Sequence, residues 1–217
     1  TEFILLGITK NPELRKIFSA LFLSMYVTTV LGNLFIVVTL AASWSLRSPM
    51  DFSLTSLSLM GATYSSITAP KMTVDSLEHY ISLEGCMTQL FSAHFFGGTE
   101  IFLLTVMAYD RFAAICHPLP YTVIMKRRVC ALLTLGTWTG SCLHASVLTL
   151  LIFKLSYCGP NEVDIFFCDI PVVLPLACAD TSLARTVSFI NVGVVALMCF
   201  LLILTSYACI VISILKI

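Results

Sequence analysis

The sequence is short of charge. Lys and Arg contribute 12 residues and Asp and Glu another 12, so only 11% of the 217 residues are charged. A soluble domain has about 25%, because charged side chains cover its surface. The two signs cancel to a net charge of +0, so the chain also lacks the electropositive surface of a nucleic-acid-binding protein. Composition therefore excludes a soluble enzyme, a disordered tail and a DNA-binding module.

Charge is missing from long runs instead of being thinned evenly along the chain. Five runs are long enough to cross a hydrocarbon layer of ~30 Å, which takes about 20 helical residues; they are 17–42, 52–74, 86–110, 129–153 and 186–215. Glu100 is the one carboxylate in the interior of such a run, and Lys71 lies near an end, from which it can reach the interface. The sequence has no internal repeat and no linker. It predicts one all-α membrane domain, a polytopic bundle with five transmembrane helices in residues 1–217.

The orientation of the bundle is decided by cysteine. Lys and Arg divide equally between the two sides, so the positive-inside rule favours neither, although a compact basic cluster at 126–128 weakly marks one side as cytoplasmic. Four cysteines crowd onto the other side, which is also that of the N-terminus: Cys86, Cys158, Cys168 and Cys178. Such an even set is typical of a disulfide framework in an oxidising compartment, although free thiols are the alternative and the spacing does not choose among three pairings. We therefore expect the N-terminus outside and the C-terminus in the cytoplasm.

A resemblance to a known family then emerges along the whole chain. Residues 107–121, MAYDRFAAICHPLPY, closely resemble the MAYDRYVAICxPLHY signature of vertebrate odorant receptors, which are rhodopsin-like G-protein-coupled receptors. Further matches are TEFILLG at 1–7, GN at 32–33, SPM at 48–50, APKM at 69–72, HFFGGTE at 94–100, CGPN at 158–161, FCD at 167–169, LACADT at 176–181 and SY at 206–207. The matches are those of the class II, tetrapod-type receptors.

The resemblance implies a fold and a function. The fold is a seven-helix bundle in the plasma membrane. Its function is to bind a small volatile apolar odorant among the helices and to couple to a heterotrimeric G protein of the olfactory stimulatory type. It implies no enzymatic activity, catalytic residue, metal or other cofactor. Asp110 and Arg111 would restrain the resting receptor and engage the G protein, and Tyr207 would support Arg111 in the active state. The implied disulfides are Cys86–Cys168 and Cys158–Cys178.

Two stripes of residues are candidates for the odorant pocket. The members are His94, Gly97, Gly98 and Ile101 on the third run, and Ser188, Asn191, Val192 and Val195 on the fifth. An apolar cavity with a few polar groups suits a small volatile molecule, whose binding is chiefly burial of hydrocarbon. The alternative is that the two glycines let helices pack closely and that His94 is a hydrogen-bonded packing residue.

Asn33 and Glu100 form a candidate polar site within the membrane. A carboxylate at that depth is costly and usually functional. The resemblance implies an aspartate partner at position 61, where this chain has Gly61. We therefore expect Glu100 to be protonated, or hydrogen-bonded to Asn33 or to water, and a sodium site is in doubt.

The sequence ends at Ile217, before the sixth and seventh helices that the resemblance implies. From this we expect a chain that does not signal alone and that misfolds, is retained in the endoplasmic reticulum or associates with another chain. A non-signalling remnant or pseudogene product is an alternative. A small transporter or channel is less favoured because internal repeats are missing. A membrane enzyme is less favoured because the helices carry no acid–base or nucleophile constellation.

Overall fold

Five long helices dominate the computed structural model, which describes residues 2–5, 12–42, 49–75, 80–158, 162–163 and 167–216. The helices are α1 (Pro12–Ala42), α2 (Pro49–Asp75), α3 (Leu83–Cys116), α4 (Pro118–Ile124), α5 (Arg127–Phe153), α6 (Ile170–Val173) and α7 (Ser182–Leu215). The strands are β1 (Glu2–Leu5), β2 (Tyr80–Ser82) and β3 (Glu162–Val163). Each of the five predicted runs lies within one long helix.

Helices α1 and α3 begin before their uncharged runs, because residues that favour the start of a helix precede those runs. Pro12 and Glu13 begin α1. The N–H that proline lacks would have no partner in the first turn of a helix, and a carboxylate there interacts favourably with the helix dipole. Ser82 caps α3, and its Oγ accepts a hydrogen bond from the Gly85 N–H at 3.1 Å. At its other end α3 stops at Cys116, and Pro118 begins the separate helix α4.

Four of the described helices are long and apolar enough to cross a membrane by length and composition. They are Lys16–Ala42 within α1, Leu83–Cys116, Arg127–Phe153 and Ser182–Leu215. The remaining long helix, α2, has 27 residues. It carries many hydroxyl side chains, so its uncharged middle is less apolar than the other four long helices. That α2 also crosses the membrane stays a prediction.

The outer surface of the bundle is apolar, which confirms an all-α membrane helix bundle. Phe35 is 72% exposed and Leu143 is 68% exposed, as expected of side chains that face lipid. Lipid offers no hydrogen-bond partners, so hydroxyl groups must be satisfied within the helices. Threonine hydroxyls donate to carbonyls four residues earlier at positions 28, 39, 63, 105 and 205.

Helix α3 lies at the centre, packed against α2, α5 and α7, while α1 packs on α2. The buried core is concentrated near the beginning of α3, where Leu90, Leu148 and Ile152 are fully buried together with Val173. We call this the disulfide end of the bundle, because Cys86 and Cys168 are bonded to each other there.

The small sheet at the disulfide end was not foreseen from the sequence. Its order is β2-β1-β3, with Phe3 opposite Ile81 in an antiparallel pair and Ile4 opposite Glu162 in a parallel pair. The strands have between two and four residues, too few for an alternating pattern to be recognised. The sheet places the N-terminal strand and the segment that follows α5 at the same end, as the cysteine distribution requires.

Candidate functional site

Two disulfides shape the disulfide end. Cys86, near the start of α3, is bonded to Cys168, and Cys158 is bonded to Cys178. The backbone N–H of Cys168 also donates a hydrogen bond to Gln89 Oε1 at 3.2 Å. The structure thus contains both disulfides that the resemblance implies, and they hold the segment after α5 against the start of α3.

A cleft lies between α3, the segment 169–174 and α7. Its volume is ≈ 400 Å³, toward the lower end of the range of about 300–1,000 Å³ for small-molecule sites. Its wall is mainly apolar. The lining residues are His94 from α3, Asp169, Ile170, Pro171 and Leu174 from the connecting segment, and Arg185, Ser188, Phe189 and Val192 from α7.

The polar groups of the cleft are few. His94 Nε2 lies 3.7 Å from Asp169 Oδ1, longer than a hydrogen bond. Asp169 Oδ1 accepts a hydrogen bond from the Ile170 N–H at 2.8 Å, which caps α6. Ser188 is 4% exposed. Neither its Oγ nor His94 Nε2 has a hydrogen-bond partner in the part of the chain that the structure describes.

Three residues of the predicted stripes line the cleft, namely His94, Ser188 and Val192. Gly98 instead faces α5, since a Cβ at that position would lie 3.4 Å from Ser141 Oγ and 3.8 Å from His144 Cδ2. Gly98 therefore follows the packing interpretation and lets α3 approach α5 closely. A Cβ at Gly97 would meet nothing within 4 Å.

The other predicted pocket residues lie outside the cleft wall. Ile101 is exposed on α3, and Asn191 and Val195 are half-buried on α7. The sequence reading missed Asp169, Leu174, Arg185 and Phe189, among others. One signal for Asp169 was available: a residue that follows a cysteine bonded to the start of α3 must lie beside α3.

Glu100 and Asn33 are not brought together. Asn33 Nδ2 donates to the Thr29 carbonyl oxygen at 2.9 Å, within its own helix. A Cβ at Gly61 would lie 3.1 Å from Asn33 Nδ2, so Gly61 accommodates the amide. Glu100 is exposed on α3 and forms no hydrogen bond or ion pair with another described residue. The hydrogen bond between Glu100 and Asn33, one of the expected alternatives, is therefore not formed; the Asn33 amide instead bonds within α1.

A second polar group lies at the opposite end of α3. Asp110 is 5% exposed, and its Oδ1 accepts a hydrogen bond from the Tyr121 hydroxyl of α4 at 3.1 Å. Burial, together with the neighbouring Asp110 carboxylate, raises the pKa of Tyr121 to about 12. The phenol therefore stays protonated and remains a donor at neutral pH. The sequence reading did not identify this bond.

Three polar contacts join α3 to α7 at this end. Arg111 Nη1 donates to the Tyr207 hydroxyl at 3.0 Å. Further along, Ser213 Oγ donates to Cys116 Sγ at 3.2 Å, and Cys116 Sγ lies 3.7 Å from the Cys209 carbonyl oxygen. Arg111 and Tyr207, which the resemblance implies act together, are thus direct neighbours. Cys116, a free cysteine, therefore makes polar contacts with α7.

Among the residues that the structure describes, no group of three or more His, Cys, Asp or Glu residues is arranged to hold a metal ion. The arrangement is that of a binding cleft at one end of α3 and α7 and a charged, hydrogen-bonded contact at the other.

Comparison with known proteins gives a consistent result. Residues 32–217 match the sequence model of a family described as 7 transmembrane receptor (rhodopsin family). The chain is 57% identical over 219 residues to olfactory receptor 10D3 of Homo sapiens, across 100% of this chain and 70% of that protein. It is 56% identical to olfactory receptor 10D3 of Mus musculus and 51% identical to olfactory receptor 10D1B of Mus musculus, each with the same coverage of 100% and 70%.

Proposed function

Because the chain belongs to the rhodopsin family of seven-transmembrane receptors, and within it to the olfactory receptors, we propose that it binds a small volatile odorant in the cleft between α3 and α7. It transmits this binding to a heterotrimeric G protein of the olfactory stimulatory type at the opposite end of the bundle. The chain is a receptor and not an enzyme.

The cleft fits an odorant by size and by polarity. A largely apolar wall stabilises a hydrocarbon ligand by about 25 cal/mol for each Å² of apolar surface removed from water. The few polar groups then fix its orientation. Helix α7 supplies both kinds of group, with Phe189 and Val192 apolar and Ser188 polar.

The observation that carries the coupling proposal is the hydrogen bond between Arg111 and Tyr207. The helices that bear these residues also line the cleft. His94 lies about 26 Å along α3 from Arg111, and Ser188 about 29 Å along α7 from Tyr207, at a rise of 1.5 Å per residue. A ligand that favours one relative position of α3 and α7 therefore shifts the population of arrangements at the far end.

We also propose that α1, α2, α3, α5 and α7 cross the plasma membrane as one domain, with the N-terminus outside. Disulfides need an oxidising compartment, and the exposed cations Lys126, Arg127 and Arg128 lie at the other end. An impermeant thiol reagent should label Leu183→Cys in intact cells and Arg128→Cys only after permeabilisation. The reverse labelling would reject this orientation.

The direct test of the function is a cyclic AMP assay in cells that express these residues within a seven-helix receptor, together with an olfactory stimulatory G protein. We expect a response to members of an odorant panel and none from Arg111→Ala at the same surface level. Arg128→Ala serves as the control, since Arg128 is an exposed cation away from Tyr207. A silent wild-type receptor at the cell surface, or a full response from Arg111→Ala, would reject the proposal.

A further inference from the structure

The cleft contains two polar atoms for which the described protein supplies no partner. His94 Nε2 and Ser188 Oγ are buried, and neither forms a hydrogen bond to another described residue. Buried polar atoms are almost always hydrogen-bonded, and leaving one unpaired is costly. In a cleft of ligand size, these two atoms mark the place where a ligand presents its own polar group.

The surroundings indicate that both atoms act as donors. Asp169 Oδ1 lies 3.7 Å from His94 Nε2, and a nearby carboxylate favours the tautomer with the proton on that nitrogen. The Ser188 hydroxyl rotates freely and can donate as well. The matching ligand group is therefore an acceptor, and an oxygen with two lone pairs can receive both hydrogen bonds.

The cleft wall carries one acidic and one basic side chain, Asp169 and Arg185. Each would attract an ionised ligand of one sign and repel the other, so together they favour neither sign. An ionised ligand would also lose its hydration on entering a mainly apolar cleft, which is costly. A neutral ligand avoids this cost, and its hydrocarbon part contacts Leu174, Phe189 and Val192.

We infer, on the basis of the proposed function, that the cleft selects neutral carbonyl odorants, namely ketones, aldehydes and esters. The carbonyl oxygen accepts hydrogen bonds from Ser188 Oγ and His94 Nε2. The alkyl chain packs against the apolar wall. Alkanes of the same length lack the acceptor, and carboxylates and amines carry a charge that would lose its hydration in the cleft.

The test compares straight-chain ketones, aldehydes and esters with alkanes, carboxylates and amines of equal carbon number in the cyclic AMP assay. We expect the carbonyl compounds to be the most potent class. Ser188→Ala should lower their potency by about threefold to tenfold, the value of one net hydrogen bond. Ser141→Ala is the matched control, because Ser141 is also a buried serine whose Oγ has no partner among the described residues, but it lies outside the cleft.

The outcomes separate this inference from the proposed function. If receptor at the cell surface answers no compound of any class, the proposed function itself fails. The carbonyl preference is wrong, while the proposed receptor function is retained, if carboxylates, amines or alkanes are the most potent class. The same conclusion follows if Ser188→Ala and Ser141→Ala weaken the carbonyl response equally. If Ser188→Ala reaches the cell surface poorly, Ser188→Thr is measured instead. This variant keeps the hydroxyl and should keep the carbonyl preference. Loss of the carbonyl preference in Ser188→Thr would overturn the inference.

Discussion

The guanidinium of Arg111 on α3 and the phenol of Tyr207 on α7 are hydrogen-bonded across the helix boundary, with 3.0 Å between Nη1 and the hydroxyl oxygen. The same two helices line the ligand cleft at their other ends. The pair is therefore placed where a change in the relative position of α3 and α7 would be read out.

The Tyr207 hydroxyl can be removed without altering the ring. We expect Tyr207→Phe to fold normally, because Tyr207 is 43% exposed. It should reduce odorant potency by about threefold to tenfold, since a hydrogen bond to a charged group is lost. Dose–response curves for cyclic AMP at matched surface level measure the effect. The control is Tyr109→Phe, an exposed tyrosine of α3 whose hydroxyl has no hydrogen bond in the described ranges; equal effects of the two variants would count against a role for the bond.

Asp110 depends on Tyr121 for a hydrogen bond in a buried position. Tyr121→Phe leaves Asp110 Oδ1 without this donor, and an unsatisfied buried acceptor costs about 1–3 kcal/mol. We expect a lower Tm for the detergent-solubilised receptor. Tyr64→Phe provides a comparison, because the Tyr64 ring packs on Phe96 with 5.4 Å between centroids and its hydroxyl bonds to no described residue. Unchanged thermal stability of Tyr121→Phe would show that the bond contributes nothing.

The Cys86–Cys168 bond joins residues separated by 82 positions. In the chain-entropy description, closing a loop of this size stabilises the fold by roughly 4 kcal/mol. We expect Cys86→Ser to reduce the amount of receptor at the cell surface severely. Cys199→Ala should have a small effect, since Cys199 is also buried but is a free thiol. Equal surface levels for the two variants would contradict this.

Gly61 and Asn33 form a tight contact between α1 and α2. A Cβ at Gly61 would lie 3.1 Å from Asn33 Nδ2, whereas a Cβ at Gly32 would meet nothing within 4 Å. Alanine gains up to about 1 kcal/mol over glycine in a helix, so Gly32→Ala should be neutral or stabilising in a Tm measurement. We expect Gly61→Ala to be destabilised by about 1–2 kcal/mol relative to it. Adding Asn33→Ala to Gly61→Ala should restore most of the lost stability. If the effects of the two substitutions on stability simply add, the two residues do not constrain each other.

The long helices could be predicted from sequence because one physical constraint dominates them. A helix in hydrocarbon excludes charge over about 20 residues, and this pattern is visible without any tertiary information. The run at 86–110 falls wholly within α3, for example. Helix ends were predicted less well, because caps such as Ser82 and breaks such as Pro118 depend on a few local hydrogen bonds.

The faces of the helices were harder to predict, because they are decided by neighbours. Gly97 and Gly98 are adjacent and chemically identical, yet only Gly98 faces Ser141 on α5. Asp169 and Arg185 enter the cleft because the Cys86–Cys168 bond and the start of α7 set the course of the connecting segment. The Tyr121–Asp110 bond depends on the turn between α3 and α4, which sequence spacing alone does not specify.

The central claim, that odorant binding in the cleft between α3 and α7 drives signalling, is tested most directly by filling the cleft. Val192 lines the cleft, whereas Val194, on the same helix, is not part of its wall and is 54% exposed. Odorant-dependent cyclic AMP should be measured for Val192→Trp and Val194→Trp at matched surface levels. We expect Val192→Trp to lose the response and Val194→Trp to keep it; a full response from Val192→Trp would contradict the claim.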